Sequence, residues 1–397
     1  MTASIGVVGL GYVGLKIYHE FSKYYEVNGF DISKERIIFL KKKYNNIKVD
    51  DDVEIIKNCN VYIVAVPTNV CEKKIPILSN LKDATLSISK LLEKGNNIIY
   101  LSTVFPGTTE KLCMEIIHKE TKLKLNKDFG LAYCPERVNP GENHENFINS
   151  YKVISASNKK TLKVVKKIYN KVFPNIYLSD SLKSAEAIKI FENIQRDINI
   201  AYLNLITKIC KEMKINTNCV IDGMQTKWNS LDFKPGLVGG NCISVNPYYI
   251  IEQESVLCNI DLIKNARQIN STMYKFVGQE IEKIFKKKKV KLKNVEILLV
   301  GLTYKKNIKS ISNSQSIKLL FYLKEKCKQI TAFDPLVSKK YLPKNLKKHH
   351  SKFIPNKKFG LIIYCVDHDI FCKDQIKKMN DSKTLFYNVS ESFSISC

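Results

Sequence analysis

The sequence predicts an α/β protein: two doubly wound α/β domains joined by a long central helix and a helical middle domain. Three observations predict it. A short apolar run, Ser4–Val8, leads at once into Gly9-Leu10-Gly11-Tyr12-Val13-Gly14 and then a helical pattern. A second strand, loop and helix start at Val295. Between them, 184–214 reads as one long helix. The expected domains are 1–180, 181–288 and 289–397.

In chain order, the helix after Gly14 is expected to end near Lys23, and Glu26–Phe30 to form a second strand ending at Asp31. A Gly-x-Gly-x-x-Gly alone is weak. Set between strand and helix, with an acidic residue closing the next strand, it is the context of a Rossmann-like dinucleotide site. The glycines allow the tight turn and close approach of a pyrophosphate, and the helix N-terminus adds its positive end. Asp31 can accept from both ribose hydroxyls and would repel a 2′-phosphate, so NAD is expected over NADP.

The alternation continues with a strand at Val61–Val66, a helix over 80–92, a strand at Ile98–Leu101 and a helix over 107–118. Further strands follow near 129–133 and 152–155. Three strands end in polar groups: Thr68 in VPTN, Thr103 in STVFPG and Glu136 in YCPERVNPG. Ligands bind at the carboxyl ends of strands in open α/β sheets, so the three together read as the rim of a cleft.

On the long helix, Lys189, Asn193 and Arg196 share one face. A solvated charged stripe is the usual form of such a set. Here Ile190, Phe191, Ile194 and Ile198 interleave it, so the polar face is expected to border a buried one. A partly desolvated lysine there can supply a cation to an oxyanion.

The stretch Lys227–Ile250, KWNSLDFKPGLVGGNCISVNPYYI, holds the only tryptophan and places Cys242 directly after Gly239-Gly240. Glycines let a backbone pass close to a ligand. A cysteine at the lip of such a loop is a candidate nucleophile when a cation or N–H groups stabilise its thiolate. Buried cysteines are more often core fillers, so context has to decide. A helix over about 260–285 follows, then a lysine run at Lys286–Lys289 read as a solvated hinge. Strands are expected near Gln329–Phe333, Gly360–Cys365 and Leu385–Tyr387, with a helix from about Ser314.

Composition narrows the function classes. With 397 residues and 44% hydrophobic residues, the chain can bury two or three cores. The formal charge of +26 is almost all lysine, since only Arg36, Arg137, Arg196 and Arg267 are arginines. That balance suits anionic ligands such as nucleotides. No zinc finger, basic heptad region or aromatic-basic RNA motif points to nucleic acid. The 12 cysteines and 6 histidines form no CxxC, HxxxH or HExxH pattern, so neither a metal nor a disulfide framework is expected. With the first strand entered by about residue 4, no signal peptide is expected, and no apolar run approaches the ~20 residues of a membrane span. A cytoplasmic protein is expected.

At this point the motifs resemble one family, the UDP-glucose/GDP-mannose dehydrogenases, along nearly the whole chain. The resemblance runs from GVVGLGYVGL through VPT, STVFPGTT, CPERVNPG and KIFENIQRDINIA to GLTYKKN. The stretch TKWNSLDFKPGLVGGNCISVNPYY is similar to the branch that oxidises UDP-N-acetylhexosamines for capsule, Vi-type and O-antigen polysaccharides. The UDP-glucose branch carries Pro-Lys-Asp where this chain has Ser244-Val245-Asn246, so an N-acetylhexosamine is favoured, with UDP-glucose the alternative.

The resemblance implies a four-electron oxidation of a sugar CH2OH to a carboxylate, in two hydride transfers to NAD. It implies Cys242 as nucleophile, through a thiohemiacetal and then a thioester that water hydrolyses. It puts Lys189 and Asn193 at the developing oxyanion and Glu136, with an ordered water, at proton transfer. Thr68 and Thr103 fall by the nicotinamide half of NAD, Asp31 and Arg36 by the adenosine ribose. Gly9, Gly11, Tyr12, Val13 and Gly14 form the phosphate turn. Arg137, Val138, Arg196, Gly239, Tyr304 and Lys305 fall on substrate positions, and a homodimer through the central helix is implied.

The chain also departs from the family pattern. The usual aspartate four residues after the cysteine is Asn246, which can hold a water but cannot take a proton. The usual histidine before the cysteine is Asn241. Asp-x-Arg-x-Ser is replaced by Ser310-Ile311-Ser312-Asn313-Ser314, and a later Asp-x-Arg-Gly by Asn388-Val389-Ser390-Glu391. This clustered loss of charge motivates a rival expectation: a homologue that binds NAD and a UDP-sugar without completing turnover.

Overall fold

The computed structural model places its longer strands on the apolar runs of the sequence. It describes residues 3–138, 141–253, 259–371, 384–389 and 393–396. In chain order the first elements are β1 (Ser4–Val8), α1 (Tyr12–Ser22), β2 (Glu26–Phe30), α2 (Lys34–Lys43), β3 (Val49–Asp50) and β4 (Val61–Val64). Then come α3 (Ser79–Ser89), β5 (Asn97–Tyr100), α4 (Met114–Thr121), β6 (Gly130–Tyr133), α5 (His144–Asn149), β7 (Lys152–Ala156), α6 (Lys159–Asn170) and β8 (Ile176–Leu178). The helices α7 (Leu182–Met213), α8 (Thr217–Gln225), α9 (Pro247–Ile251) and α10 (Asp261–Lys287) make the middle. The chain closes with β9 (Glu296–Val300), α11 (Gln315–Lys324), β10 (Gln329–Phe333), α12 (Lys344–Lys347), β11 (His350–Ser351), β12 (Leu361–Tyr364), β13 (Leu385–Asn388) and β14 (Ser394–Ser396).

These elements fall into two compact units, 1–192 with 248–253, and 193–247 with 254–397. The first holds an eight-stranded sheet in the order β3-β2-β1-β4-β5-β6-β7-β8. All neighbours are parallel except β6 and β7. Every residue of β4, β5 and β6 is buried, as sheets covered on both faces require of their apolar runs. Strand order reverses between β1 and β4, so the loop after Val8 opens at the topological switch point.

In the second unit, the later turns of α7 join α8 and α10, and a six-stranded sheet follows in the order β11-β10-β9-β12-β13-β14. Only β14 runs antiparallel. Its core packs Met273, Val277 and Ile281 of α10 against Leu319, Leu320 and Leu323 of α11 and the strand residues Ile297 and Leu299.

The fold is therefore the α/β class expected, with parallel sheets and a helical middle. Several details differ. The expected helix over 107–118 starts as a wide π turn over Thr109–Cys113 and runs to Thr121. The reason lies on α7, where buried Glu186 accepts from the N–H groups of Gly107 and Thr109 and reshapes that first turn. Phe191, expected among the buried neighbours of the polar stripe, is 49% exposed, while Asn193 itself is fully buried. The lysine hinge is half helix, because α10 continues through Lys287. Among the described residues no helix is long and apolar enough to cross a membrane.

Candidate active site

In the first unit the glycine turn divides its labour by residue. Gly9 has φ +87°, a left-handed conformation that favours glycine. A Cβ on Gly14 would lie 1.8 Å from the Gly9 carbonyl oxygen, so only glycine lets α1 sit this close to the end of β1. Gly11 is different: a Cβ there meets nothing within 4 Å. The protein does not need that glycine for its own packing, and the space beside it stays open. α1 also starts without a side-chain cap, so its first-turn N–H groups have no side-chain acceptor at the cap position.

A cavity of about 370 Å³ opens beside this turn, lined by Gly9, Gly11, Asp31, Ser33, Arg36, Ala65 and Asp83 among others. Asp31 Oδ2 accepts from Leu10 N at 2.7 Å and Oδ1 from Ser33 N at 3.0 Å, which fixes the carboxylate at the cavity wall. Each oxygen keeps a further lone pair for a hydroxyl. Arg36 Nε donates to the Leu10 carbonyl at 2.8 Å. Tyr12 is half exposed, and Val13 packs on the core beneath. These residues fit an adenosine ribose and a pyrophosphate.

Thr68 and Thr103 meet at the strand ends, with Thr68 Oγ1 donating to the Thr103 carbonyl at 2.7 Å. Tyr249 of α9 donates from its hydroxyl to the Thr68 carbonyl at 3.0 Å, and burial pushes that phenol up to about 12. The third strand-end group, Glu136, is buried. Its Oε1 accepts from Arg137 N at 2.8 Å, and Lys152 Nζ lies 3.1 and 3.3 Å from its two oxygens. Lys189 Nζ, buried on α7, donates to the Glu136 main-chain carbonyl at 2.7 Å. Arg137 pairs with Glu192 at 3.0 Å and donates to the Tyr151 carbonyl, while Val138 packs on the core.

In the second unit Cys242 is half-buried and opens a tight turn whose carbonyl accepts from Asn246 N at 2.9 Å. Gly240 (φ +79°) is pressed against Tyr304: a Cβ would fall 2.6 Å from its ring. Gly239 meets the Tyr304 Cβ at the same distance. The loop Ser310–Ser314 grips this turn through one backbone carbonyl and one side-chain amide. Gly240 N donates to the Ser312 carbonyl at 2.8 Å, and Asn313 Nδ2 donates to the Gly240 carbonyl at 3.0 Å. Asn241 is exposed and its side-chain oxygen accepts from Asn313 at 3.3 Å. Asn246 is buried, at 4% exposure. Asn193 Oδ1 accepts from Arg196 on the same helix face, and Lys305 is exposed. Ser390 and Glu391 lie outside the described residues.

Sequence reasoning missed four polar residues that hold these groups. Lys152 is 3% exposed, with its ammonium 4.0 Å over the Phe147 ring, and burial pulls it below the usual lysine range against the pull of Glu136. Glu186 is pushed up by burial, against the hydrogen bonds from Thr109 and Gly107. Asp197 and Arg267 form a buried ion pair at 3.0 Å. A signal existed for two of them: Lys152 opens a strand of otherwise uncharged, mostly apolar residues, and Arg267 is one of four arginines in a lysine-rich chain.

The chain matches the UDP-glucose/GDP-mannose dehydrogenase family in three stretches: the NAD binding domain over 39–173, the central domain over 183–272 and the UDP binding domain over 298–391. It is 37% identical over 350 residues to a UDP-N-acetyl-D-glucosamine 6-dehydrogenase of Pseudomonas aeruginosa, covering 84% of this chain and 83% of that one. It is 32% identical over 404 residues to a protein of the same name from Salmonella typhi, covering 97% and 95%. Among solved structures it is similar to a UDP-D-ManNAc dehydrogenase from Pyrococcus horikoshii, with a TM-score of 0.87, 25% identity, and 98% of this chain and 100% of that chain covered. The chain belongs to the UDP-glucose/GDP-mannose dehydrogenase family, whose members are NAD-dependent oxidoreductases.

Proposed function

We propose that this enzyme oxidises the C6 hydroxymethyl of a UDP-N-acetylhexosamine to a carboxylate, with Cys242 as the covalent nucleophile. The observation that carries the reading is the setting of Cys242, at the start of a turn gripped by Tyr304, Ser312 and Asn313. The names of the similar proteins from P. aeruginosa and S. typhi support the N-acetylhexosamine over glucose.

Bound NAD supplies the hydride acceptor; Gly9, Gly11, Tyr12, Val13, Gly14, Asp31 and Arg36 would hold its adenosine and pyrophosphate, Thr68 and Thr103 its other half. Asp31 sets the preference for a free 2′-hydroxyl. Arg137, Val138, Arg196, Gly239, Tyr304 and Lys305 bind the nucleotide sugar. The Cys242 thiolate adds to the C6 aldehyde, so the reactive carbonyl stays attached between the two oxidations. Lys189 and Asn193 steady the oxygen that gains charge at that carbon. Glu136 moves the proton through a water. Asn246 orients a water for hydrolysis of the thioester without taking its proton.

The same reading divides the chain into a cofactor part (1–180), a central part that carries Cys242 and pairs two copies (181–288), and a UDP-sugar part (289–397). Tyr202, Leu205, Ile209 and Met213 of α7 are exposed apolar residues that a second copy would cover. The enzyme works in the cytoplasm, where its free cysteines are kept reduced, and supplies a uronic acid for polysaccharide building. Cys242→Ser tests the central role. It should retain NAD and UDP-sugar binding while uronic acid formation drops to background; a variant that still makes uronic acid overturns the assignment.

A further inference from the structure

The segment 236–243 is tied to the helices around it by buried side chains, all within the second unit. Asn204 of α7 accepts from Gly236 N at 2.9 Å and donates to its carbonyl at 3.1 Å. Gln315 of α11 donates to the Val238 carbonyl at 2.7 Å. Arg267 of α10 donates through one terminal nitrogen to the carbonyl of Ile243, the residue after Cys242, at 2.9 Å. That same nitrogen lies 3.0 Å from Asp197 Oδ1, and Asn270 Nδ2 reaches Asp197 Oδ1 at 2.7 Å. Asn270 Oδ1 in turn accepts from Asn204 at 2.8 Å, which joins the tethers into one network.

Such a network is a poor way to gain stability. Asp197 and Arg267 are 1% and 3% exposed, and a buried ion pair recovers its desolvation cost only with full hydrogen bonding. Asp197 Oδ2 has no hydrogen-bond partner. What the pair does is aim an arginine at one main-chain carbonyl beside the thiol. The ion pair holds a planar, always charged group in a fixed direction.

We infer that Asp197 and Arg267 are positioning residues for Cys242: the ion pair anchors the Ile243 carbonyl and thereby sets where the thiol points. The inference rests on Cys242 being the nucleophile. Removing the tether costs turnover at the step that uses the thiol and leaves ligand binding intact.

The test uses the full chain with Asp197→Asn/Arg267→Met, which leaves no unpaired buried charge, and with Arg267→Lys, which keeps the charge but loses the planar guanidinium that reaches both Asp197 and the Ile243 carbonyl. Turnover is measured with UDP-N-acetylglucosamine and NAD. Alkylation of Cys242 by iodoacetamide is followed by peptide mass spectrometry, with exposed Cys219 as the internal reference. The double variant should lose about tenfold or more in kcat, with both KM values within about twofold of the parent. The Cys242 to Cys219 alkylation ratio should shift by about threefold or more, because it follows access and thiolate setting. A folded double variant with unchanged kcat and ratio overturns the inference. So does a variant whose kcat loss comes with an unchanged ratio, since that is general damage. Should the double variant fail to fold, Arg267→Lys decides by the same ratio. Full turnover by Cys242→Ser would instead overturn the nucleophile reading, whatever the ratio shows.

Discussion

At the scale of single residues, the glycine turn separates packing from binding, and two substitutions expose the difference. Gly14→Ala drives a methyl into a backbone carbonyl that has no room to yield, so it should lower unfolding free energy by about 3 kcal/mol or more in denaturant titration. Gly11→Ala meets open space at an ordinary φ of −68°, so stability should stay within about 0.5 kcal/mol while NAD affinity falls. Equal loss of stability in both would contradict the division. The glycine spacing was legible in the sequence because Gly9 and Gly14 answer backbone requirements and Gly11 leaves room beside them. The roles of Lys152 and Asp197 were not, because a lysine or aspartate declares its importance only through burial, and burial is a property of the fold.

At the scale of elements, α7 shows what one helix can organise. Its Glu186 stands in for a cap on the segment ahead of α4, taking the N–H groups of Gly107 and Thr109 and the Thr109 hydroxyl. Burial raises the Glu186 carboxyl above its ordinary value, so between the unfolded and folded values the folded state holds more protons. The stability contributed by this group therefore falls as pH rises through that window. Glu186→Gln should flatten the melting temperature over that range relative to the parent, and an unchanged profile would show that another group is responsible. On β7, Lys152→Met strands Glu136 as a buried unpaired charge and should cost about 3–5 kcal/mol in denaturant titration, with turnover lost. The strands and long helices were readable from apolar runs and period, but the π turn at Thr109 was not. Its cause is a side chain 77 residues away.

At the scale of the whole molecule, both sheets follow from alternating strands and helices, and the family's three domains were visible in linear motifs. The short edge strands β3, β8, β11 and β14 were not, since two or three residues carry too little pattern to separate a strand from a loop. The proposed pairing through α7 predicts that Ile209→Glu, which puts a charge among exposed apolar residues, halves the mass seen by light scattering; an unchanged mass would contradict that interface. The losses at Asn246 and Ser312 bear on the central claim, because they remove charge while Cys242, Lys189 and Asn193 remain. The most direct test counts NADH formed per sugar consumed, with UDP-N-acetylglucosamine, UDP-N-acetylgalactosamine and UDP-glucose supplied separately. The predicted result is two NADH per sugar, fastest with an N-acetylhexosamine. One NADH per enzyme site followed by a stall, or none with both ligands bound, would contradict a completed four-electron oxidation.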